Sequence, residues 1–283
     1  MQVFKFGGAS IRHAAGVKQV TSIIKGHQKE KILVVVSAMG KTTNALERVV
    51  ENFRQEKDFK SELDGIRKYH GDIMHELFHE TNDVWKKVAA SFDHITRQLK
   101  PGIAHDQLYD QVVSMGEVIS SIIISEYVLT QDLDAEWLDA RKYIKTDTTF
   151  REGKIDWDQT ESNILNLKSV VNSTTLITQG FIGSCDGLTV TLGREGSDYT
   201  AAIFASCLGA SSVTIWKDVP GVMNADPKRL PDAVVFEELP FREAAEMTYY
   251  GASVIHPKTI KPLANKNIPL LVKNLTTPPS RER

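Results

Sequence analysis

The alternation of apolar runs with helical patterns constrains this fold more than any other sequence feature. Short runs rich in Val and Ile alternate with longer stretches of helical periodicity, which is typical of a parallel sheet covered by helices. The sequence therefore predicts a three-layer α/β/α sandwich with a mainly parallel central sheet. Strands are predicted at residues 2–6, 31–37, 135–139, 174–178, 212–216 and 269–272.

One long interval separates the second predicted strand from the third. Residues 42–129 have a mostly helical pattern that is interrupted at Pro101-Gly102. This interval is longer than a single crossover needs, so we interpret it as a helical insertion that shapes one lobe. Because ligands of open α/β sheets bind beyond the carboxyl ends of strands, we look for chemistry in the residues that follow each predicted strand.

The composition excludes several function classes. The 283 residues are 41% hydrophobic and 25% charged, as in an ordinary globular protein with a sizeable core. With 34 Lys and Arg against 36 Asp and Glu, the net charge of −2 argues against binding nucleic acid through a basic surface. Two cysteines are too few for a disulfide framework. We see neither a signal peptide nor a run of about 20 apolar residues, so we expect a cytoplasmic protein without a membrane partner.

A zinc-protease pattern occurs at residues 75–79. His75, Glu76 and His79 match H-E-x-x-H, which places two imidazoles one helical turn apart. The apolar stripe of the same predicted helix includes Ile73 and Leu77, and the two histidines project to nearly the opposite side. We therefore interpret them as part of a solvated face and not as zinc ligands.

A second motif resembles the end of a Walker loop. Gly40-Lys41-Thr42 follows a predicted strand, but the first glycine of G-x-x-x-x-G-K-[ST] would have to be residue 35, which is Val35. Without that glycine the backbone cannot easily wrap a phosphate, so the Walker interpretation fails.

Three loops carry a combination that is harder to dismiss. The first has Lys5 at the end of the first strand, followed by Gly7, Gly8 and Ser10. Paired glycines let backbone N–H groups approach an anion, and lysine supplies a charge for a phosphate. A tight turn after the strand would explain the glycines equally well.

The second loop leads into an Ala-rich helix. Ser197 or Asp198 is the predicted N-cap, and the unpaired N–H groups of such a helix start attract an anion. Arg194 offers the planar fork that matches a carboxylate. Simple capping beside a surface arginine is the alternative explanation.

The third loop follows the strand that ends at Trp216. An apolar strand end and the turns at Pro220-Gly221 and Asp226-Pro227 are suited to hold a flat heterocycle beside Lys217 and Lys228. Each of these features is common by itself, and only the three loops together indicate a site.

In these loops and in further strings, the sequence resembles the catalytic domain of the aspartate kinases, a branch of the amino acid kinase family. The matching strings extend over nearly the whole chain. They are K-F-G-G-A-S from residue 5, V-S-A-M-G-K-T-T-N from residue 36, G-E at 116, D-A-R from 139, T-Q-G-F-I-G from 178, residues 193–200, residues 216–226, E-A-A-E-M from 243, G-A at 251 and H-P at 256.

The resemblance implies a reaction and a division of the chain. The reaction is transfer of the γ-phosphoryl group of ATP, with Mg²⁺, to the β-carboxylate of L-aspartate. The family domain would span residues 1–274, with an aspartate lobe at about 1–180 and an ATP lobe at about 181–274. Another carboxylate kinase of the family, of the glutamate 5-kinase or acetylglutamate kinase type, remains an alternative, as does a non-catalytic amino-acid-binding homologue.

The resemblance also implies residue roles. Lys5 would contact the phosphates and stabilise the transition state, and Asp198 would orient the cationic groups. Glu117 would accept from the substrate ammonium and Arg194 would bind its α-carboxylate. For Glu117, a glutamate that interacts with the dipole of its own helix is the alternative. The remaining pocket residues would be Thr43, Phe181 and Ser197, and the remaining nucleotide contacts would be Gly7, Gly8, Ser10, Lys217, Asp218, Met223 and Lys228.

Several positions depart from the family pattern. Lys217 replaces a usual Thr, Met223 a frequent Tyr, Ser253 a frequent Lys and Glu195 a frequent Gly. Lys217 could offset the lysine missing at residue 253. Glu195 puts a negative charge next to Arg194, and this departure most needs an explanation.

The family usually continues into regulatory ACT domains. We expect none here, since residues 275–283 look like a tail or the start of a linker, and either a natural absence or a truncated chain explains that. A homodimer is compatible with the resemblance.

Overall fold

A computed structural model describes residues 1–217, 219, 221–225, 230, 232–249 and 255–275, without the side chains of residues 248 and 249. Its centre is a parallel sheet of six strands in the order β3-β4-β2-β1-β7-β8. The six are β1 (Gln2–Phe6), β2 (Ile32–Val36), β3 (Ala135–Leu138), β4 (Thr175–Gln179), β7 (Ser212–Lys217) and β8 (Leu270–Asn274).

All six predicted strands are present within one or two residues of the expected bounds, but one hairpin was not predicted. Strands β5 (Ile182–Cys185) and β6 (Leu188–Thr191) pair in antiparallel fashion. Their turn is Asp186-Gly187, with φ of +48° and +78°, and Asp-Gly is a strong signal for such a two-residue turn. The signal was present in the sequence and was overlooked because the flanking runs are only four residues long.

Helices cover both faces of the central sheet, which confirms the α/β/α sandwich. They are α1 (Ala14–Gly26), α2 (Thr42–Arg54), α3 (Lys60–Leu77), α4 (Val84–Gln98), α5 (His105–Val113), α6 (Met115–Leu129), α7 (Ala140–Tyr143), α8 (Trp157–Leu165), α9 (Gly196–Leu208), α10 (Phe241–Tyr249) and α11 (Pro257–Asn265), with short 3-10 helices at Gly8–Ile11 and Val170–Asn172. The predicted helical insertion corresponds to α2 through α6.

Strand alternation decides which residues of β1 meet which layer. Phe4 and Phe6 pack in the core beneath α1 and the helical insertion, whereas Val3 packs in the core beneath α8, α9 and α11. Because successive side chains of a strand point to opposite faces, Lys5 lies on the α9 face. A charged residue at the end of this buried strand is thereby directed towards the first turn of α9.

Trp216 corrects one expectation. The indole is 3% exposed and stacks on Phe6, with ring centres 6.0 Å apart and planes at 11°. It belongs to the core on the α1 side of the sheet and does not form a wall for a heterocycle. Its neighbour Lys217 lies on the opposite face, because the strand alternates.

The H-E-x-x-H pattern is not held on a single helix. Helix α3 ends at Leu77, so His79 lies beyond it, and His75, Glu76 and His79 are exposed. The imidazole of His75 lies 4.6 Å from the ring of Trp85, and His79 contacts the Thr81 hydroxyl. Among the described residues, no group of three His, Cys, Asp or Glu side chains could hold a metal ion.

Helices α5 and α6 contain the most apolar long segment of the described chain. By length and composition alone, His105–Leu129 could cross a membrane, but 83% of its most apolar window is buried inside the protein. We therefore interpret it as a core segment of the sandwich. The predicted tail after Leu275 lies outside the described residues.

Candidate active site

A cavity of about 530 Å³ opens at the carboxyl ends of the central strands. This is the edge where open α/β sheets bind ligands, beside the point where the chain order changes direction between β1 and β7. Its wall contains predicted site residues from distant parts of the chain, namely Lys5, Gly8, Thr43, Glu117, Phe181, Arg194, Ser197, Asp198 and Lys217.

Two lysines share one buried carboxylate in this cavity. Lys5 Nζ lies 2.7 Å from Asp198 Oδ1, and Lys217 Nζ lies 3.7 Å from Asp198 Oδ2. Lys5 is 7% exposed and Asp198 is 2% exposed. The register explains the geometry, since Lys5 pairs with Ile215 on β7 and Lys217 follows two residues later on the same face. The result is a preorganised cluster with net positive charge, suited to an anion.

Glycine permits the close approaches that bring these loops together. A Cβ on Gly8 would lie 2.4 Å from the Ala38 carbonyl oxygen, and a Cβ on Gly180 would lie 2.4 Å from Ser197 Cβ. Any larger residue at either position would separate the strand ends from their neighbours. Phe181 follows with φ of +71°, and its N–H donates to Thr200 Oγ1 at 3.0 Å. This bond fixes the end of β4 to the first turns of α9.

Glu117 is a buried acid with an unused oxygen. The carboxyl lies in the first turn of α6, is 3% exposed, and accepts the Ala38 N–H at 3.3 Å through Oε1. Its Oε2 is buried and has no hydrogen-bond partner among the described residues. Burial raises the pKa of Glu117 to about 8, against an opposing effect of the Lys5 charge. An unsatisfied buried acceptor is costly, so a cationic group in the cavity would be stabilised here.

The adjacent residues Arg194 and Glu195 have side chains in different surroundings. Arg194 is exposed, lines the cavity, and forms no ion pair with the described part of the chain. Glu195 has φ of +52°, the left-handed region that favours glycine. Its Oε2 accepts the His256 N–H at 3.1 Å, immediately before α11. The carboxylate that replaces the frequent glycine is therefore bound to α11.

Tyr109 and Arg151 also line the cavity, and the sequence analysis missed both. The Arg151 guanidinium lies 4.2 Å from the centre of the Tyr109 ring. Neither residue belongs to a motif or follows a predicted strand. The only signal for Arg151 was a charged residue two positions before Gly153 in a loop, which is too common to select a site.

The remaining predicted residues lie apart from the cavity wall or outside the description. Gly7 is adjacent to it, because a Cβ there would lie 3.6 Å from Lys5 Nζ. Ser10 is buried in the 3-10 helix and does not line the cavity. Met223 is half-buried and pairs with Val235 in an isolated bridge. Asp218 and Lys228 are outside the described residues, as is Ser253.

This arrangement can bind two kinds of group at once. The cluster of Lys5, Asp198 and Lys217 suits a phosphate chain, because ammonium groups stabilise charge that develops on a transferred phosphoryl group. Glu117 and Arg194 suit opposite charges on one small molecule. Fold and cavity together define the class of α/β proteins whose cavity, at the carboxyl ends of parallel strands, suits an anionic phosphate chain beside a small charged molecule.

The chain belongs to the amino acid kinase family, whose profile matches residues 1–274. Among curated proteins, it is 36% identical over 280 residues to lysine-sensitive aspartokinase 3 of Escherichia coli, covering 98% of this chain and 62% of the relative. It is 32% identical to the chloroplastic bifunctional aspartokinase/homoserine dehydrogenase 2 of Arabidopsis thaliana, covering 96% of this chain and 31% of the relative.

Comparison with solved structures points to the same group of proteins. The structure superposes on E. coli aspartokinase III in complex with aspartate and ADP with a TM-score of 0.90 and 35% identity, covering 99% of this chain and 63% of that one. The aspartate kinase of Clostridium acetobutylicum gives a TM-score of 0.81 and 26% identity, covering 98% and 61%. The chain thus spans less than two thirds of the length of these relatives.

Proposed function

We propose that this chain is an aspartate kinase domain, which transfers the γ-phosphoryl group of ATP to the β-carboxylate of L-aspartate. The observation that carries the proposal is the cavity in which the Lys5–Asp198–Lys217 cluster adjoins buried Glu117 and exposed Arg194. The superposed E. coli enzyme, which is in complex with aspartate and ADP, supports it.

The reaction depends more on stabilising negative charge than on a general base. An oxygen of the β-carboxylate attacks the γ-phosphorus, the bond from that phosphorus to the β,γ-bridging oxygen breaks, and ADP leaves with its electron pair. The nucleophile is already an anion at neutral pH, so no side chain has to remove a proton. The barrier lies in bringing anions together and spreading the charge. Lys5 supplies that charge, and Asp198 keeps both lysine ammoniums in position.

The α-substituents of the substrate find opposite partners. The substrate ammonium would satisfy Glu117 Oε2, which lacks a hydrogen-bond partner in the described part of the chain, while the guanidinium of Arg194 would bind the α-carboxylate through two parallel hydrogen bonds. Thr43, Phe181 and Ser197 line the same cavity and would complete the substrate pocket.

The nucleotide would lie on the lysine side of the cavity. Lys217, which by the resemblance stands in place of a usual Thr, lines the cavity and would offer a second ammonium for the phosphates. The donor set here is ammonium-rich, and the described residues contain no cluster of acidic or imidazole metal ligands. Ammonium groups do not ligate Mg²⁺, so the ion that the resemblance implies would be carried on the nucleotide phosphates and would neutralise part of their charge.

Two related enzymes are the nearest alternatives. A glutamate 5-kinase would accept a longer free amino acid, and an acetylglutamate kinase would accept a substrate without an ammonium. Glu117 favours a free amino acid, because an acetylated nitrogen offers it no positive charge. A non-catalytic amino-acid-binding homologue would use the same cavity without turnover.

An aspartyl-hydroxamate assay with aspartate, glutamate and N-acetylglutamate in parallel tests the proposal. We expect product from aspartate alone, in the presence of ATP and Mg²⁺. Product from another acceptor would replace the assigned substrate. Aspartate binding by calorimetry without any product would favour the non-catalytic homologue.

The guanidinium geometry gives a prediction for Arg194. Arg194→Lys keeps the charge but loses the planar fork, so we expect aspartate to bind about tenfold more weakly, a difference of about 1.4 kcal/mol. Calorimetry with aspartate measures the effect. Equal affinities would remove Arg194 from the substrate pocket.

The raised pKa of Glu117 gives a prediction for proton release. With a pKa of about 8, Glu117 is mostly neutral at pH 7 and ionises when the substrate ammonium binds. We expect aspartate binding to release about one proton at pH 7 and much less at pH 9, where the carboxyl is already ionised. The apparent affinity should rise between pH 6 and 8.

Calorimetry in buffers with different ionisation enthalpies measures that release. Glu117→Gln, which cannot ionise, should bind aspartate weakly and release no proton. A wild-type protein that binds aspartate at pH 7 without releasing a proton would contradict the assigned role of Glu117.

A further inference from the structure

Two Arg-Glu dipeptides each place an arginine in the cavity wall and a glutamate against the start of α11. Arg151 and Arg194 both line the cavity, and the glutamate that follows each arginine binds the start of α11. Glu152 Oε1 lies 2.6 Å from Lys258 Nζ, and Glu195 Oε2 accepts the N–H of His256, which precedes the helix. One end of α11 therefore anchors two loops that are more than forty residues apart in the sequence.

Each dipeptide includes one residue with a left-handed backbone. Arg151 has φ of +68° and Glu195 has φ of +52°. Residues other than glycine hold this conformation when surrounding contacts compensate for it, and such positions cluster at functional sites. Both strained residues here lie in the wall of the same cavity.

Arg151 is held by contacts on both its backbone and its side chain. Its N–H donates to Asp110 Oδ2 at 2.9 Å, and Asp110 is fully buried and also binds the backbone and hydroxyl of Thr191 at the end of β6. The guanidinium stacks on Tyr109. The cation at the cavity wall is thus preorganised, which lowers the cost of ordering it on binding.

The guanidinium retains capacity for another carboxylate. Its ion pair with Asp106 joins Nη1 to Oδ1 at 3.6 Å, and both side chains are about half exposed. An exposed pair of this kind contributes little, so a ligand carboxylate can replace Asp106. A guanidinium has five N–H donors in a planar fork, and its contacts with the Tyr109 ring and with Asp106 do not use all of them.

We propose that Arg151 is a second substrate-recognising residue of the cavity, which contacts a carboxylate of the bound amino acid, and that the start of α11 keeps it in register with Arg194. This inference rests on the proposed aspartate kinase function. Glu152 and Lys258 are then positioning residues, since they act through the arginines without lining the cavity.

The test measures the aspartate Kd by calorimetry, together with KM and kcat, in Arg151→Gln and Arg151→Lys. For Arg151→Gln, we expect the Kd and KM for aspartate to rise about tenfold, with the KM for ATP changed by less than about twofold. The lysine variant should be intermediate, because it keeps the charge and loses the fork. If the glutamine variant does not fold, the lysine variant decides: a raised aspartate KM supports the proposal and an unchanged one overturns it.

Arg67→Gln is a matched control. The Arg67 guanidinium also lies over an aromatic ring, 5.0 Å from the centre of Phe92, and forms a long ion pair with Asp93, but it does not line the cavity. Its replacement should leave the aspartate KM unchanged. An active wild type with an unchanged Kd in Arg151→Gln would overturn this inference alone. A wild type that neither binds nor phosphorylates aspartate would overturn the proposed function as well.

The anchoring role of the ion pair between Lys258 and Glu152 is tested separately. Lys258→Gln should raise the aspartate KM about threefold without changing kcat, and Lys258→Arg should restore the KM, because it restores the ion pair with Glu152. Lys87→Gln, which breaks the ion pair of Lys87 with Glu126 outside the cavity wall, is the control. An equal rise in KM for the arginine and glutamine variants of Lys258 would overturn the anchoring role.

Discussion

Replacing Lys5 with alanine is expected to lower kcat for aspartate phosphorylation by about a thousandfold, with the aspartate KM changed by less than about threefold. Lys5 is the cation closest to Asp198 and lies at the end of the first strand, where the proposed mechanism places the transferred phosphoryl group. An interaction that strengthens only in the transition state affects kcat and leaves ground-state binding nearly intact. Steady-state kinetics with both substrates measures the split.

Lys145→Ala is a suitable control for that experiment. Lys145 is a half-buried lysine whose ammonium donates to the Arg141 carbonyl oxygen and to Ser184 Oγ, and it does not line the cavity. We expect its removal to leave kcat within about twofold. An unchanged kcat in Lys5→Ala would refute the catalytic role of Lys5.

Asp198→Asn is expected to lower both activity and stability. The substitution leaves the ammonium of Lys5 buried beside a neutral amide, and removal of one partner of a buried ion pair costs about 3–5 kcal/mol. Partial exposure of Lys217 reduces that penalty, since its side chain is 22% exposed. We therefore expect a loss of about 3 kcal/mol in the free energy of unfolding and a fall of about a hundredfold in kcat, because both lysines lose their common orientation.

Urea denaturation and steady-state kinetics measure the two effects. Asp139→Asn is the control, because Asp139 also forms an ion pair, with Arg141 at 2.7 Å, and its side chain is 15% exposed. It lies outside the cavity wall, so its loss should reduce stability without a comparable loss of kcat. Equal kcat in Asp198→Asn and wild type would contradict the proposed cluster.

The strands of the fold were predictable because they are buried on both sides. Runs such as Ile32–Val36 are fully buried, and a strand covered by helices on both faces reads as a continuous apolar run. The β5–β6 hairpin was missed because Gly183 and Cys185 make its first strand atypical, and the Asp186-Gly187 turn was its clearest signal. Short strands outside the main sheet have too few residues for their alternation to be distinctive.

The candidate site was predictable only near the end of a strand or the start of a helix. Lys5, Arg194 and Asp198 occupy such positions, and the structure brings all three to one cavity. The resemblance, and not the local pattern, pointed to Glu117. Arg151 could not be predicted, because its place in the wall depends on Asp110, Tyr109 and Lys258, whose contacts with the 147–153 loop exist only in the folded chain. The orientation of Trp216 was predicted wrongly. The sequence analysis placed Trp216 and Lys217 on one binding surface, but adjacent residues of a strand face opposite layers.

Other expectations stay predictions. The division into an aspartate lobe and an ATP lobe near residue 180, the cytoplasmic location and the homodimer belong to this group. So do the nucleotide contacts of Asp218 and Lys228, which lie outside the described residues.

A crystal structure of the protein with aspartate and a non-hydrolysable ATP analogue tests the central claim most directly. The account predicts the terminal phosphate within hydrogen-bond distance of Lys5 Nζ, the substrate ammonium on Glu117, and the α-carboxylate on Arg194, with the β-carboxylate facing the phosphate. A nucleotide bound away from Lys5, or an aspartate bound outside this cavity, would contradict it.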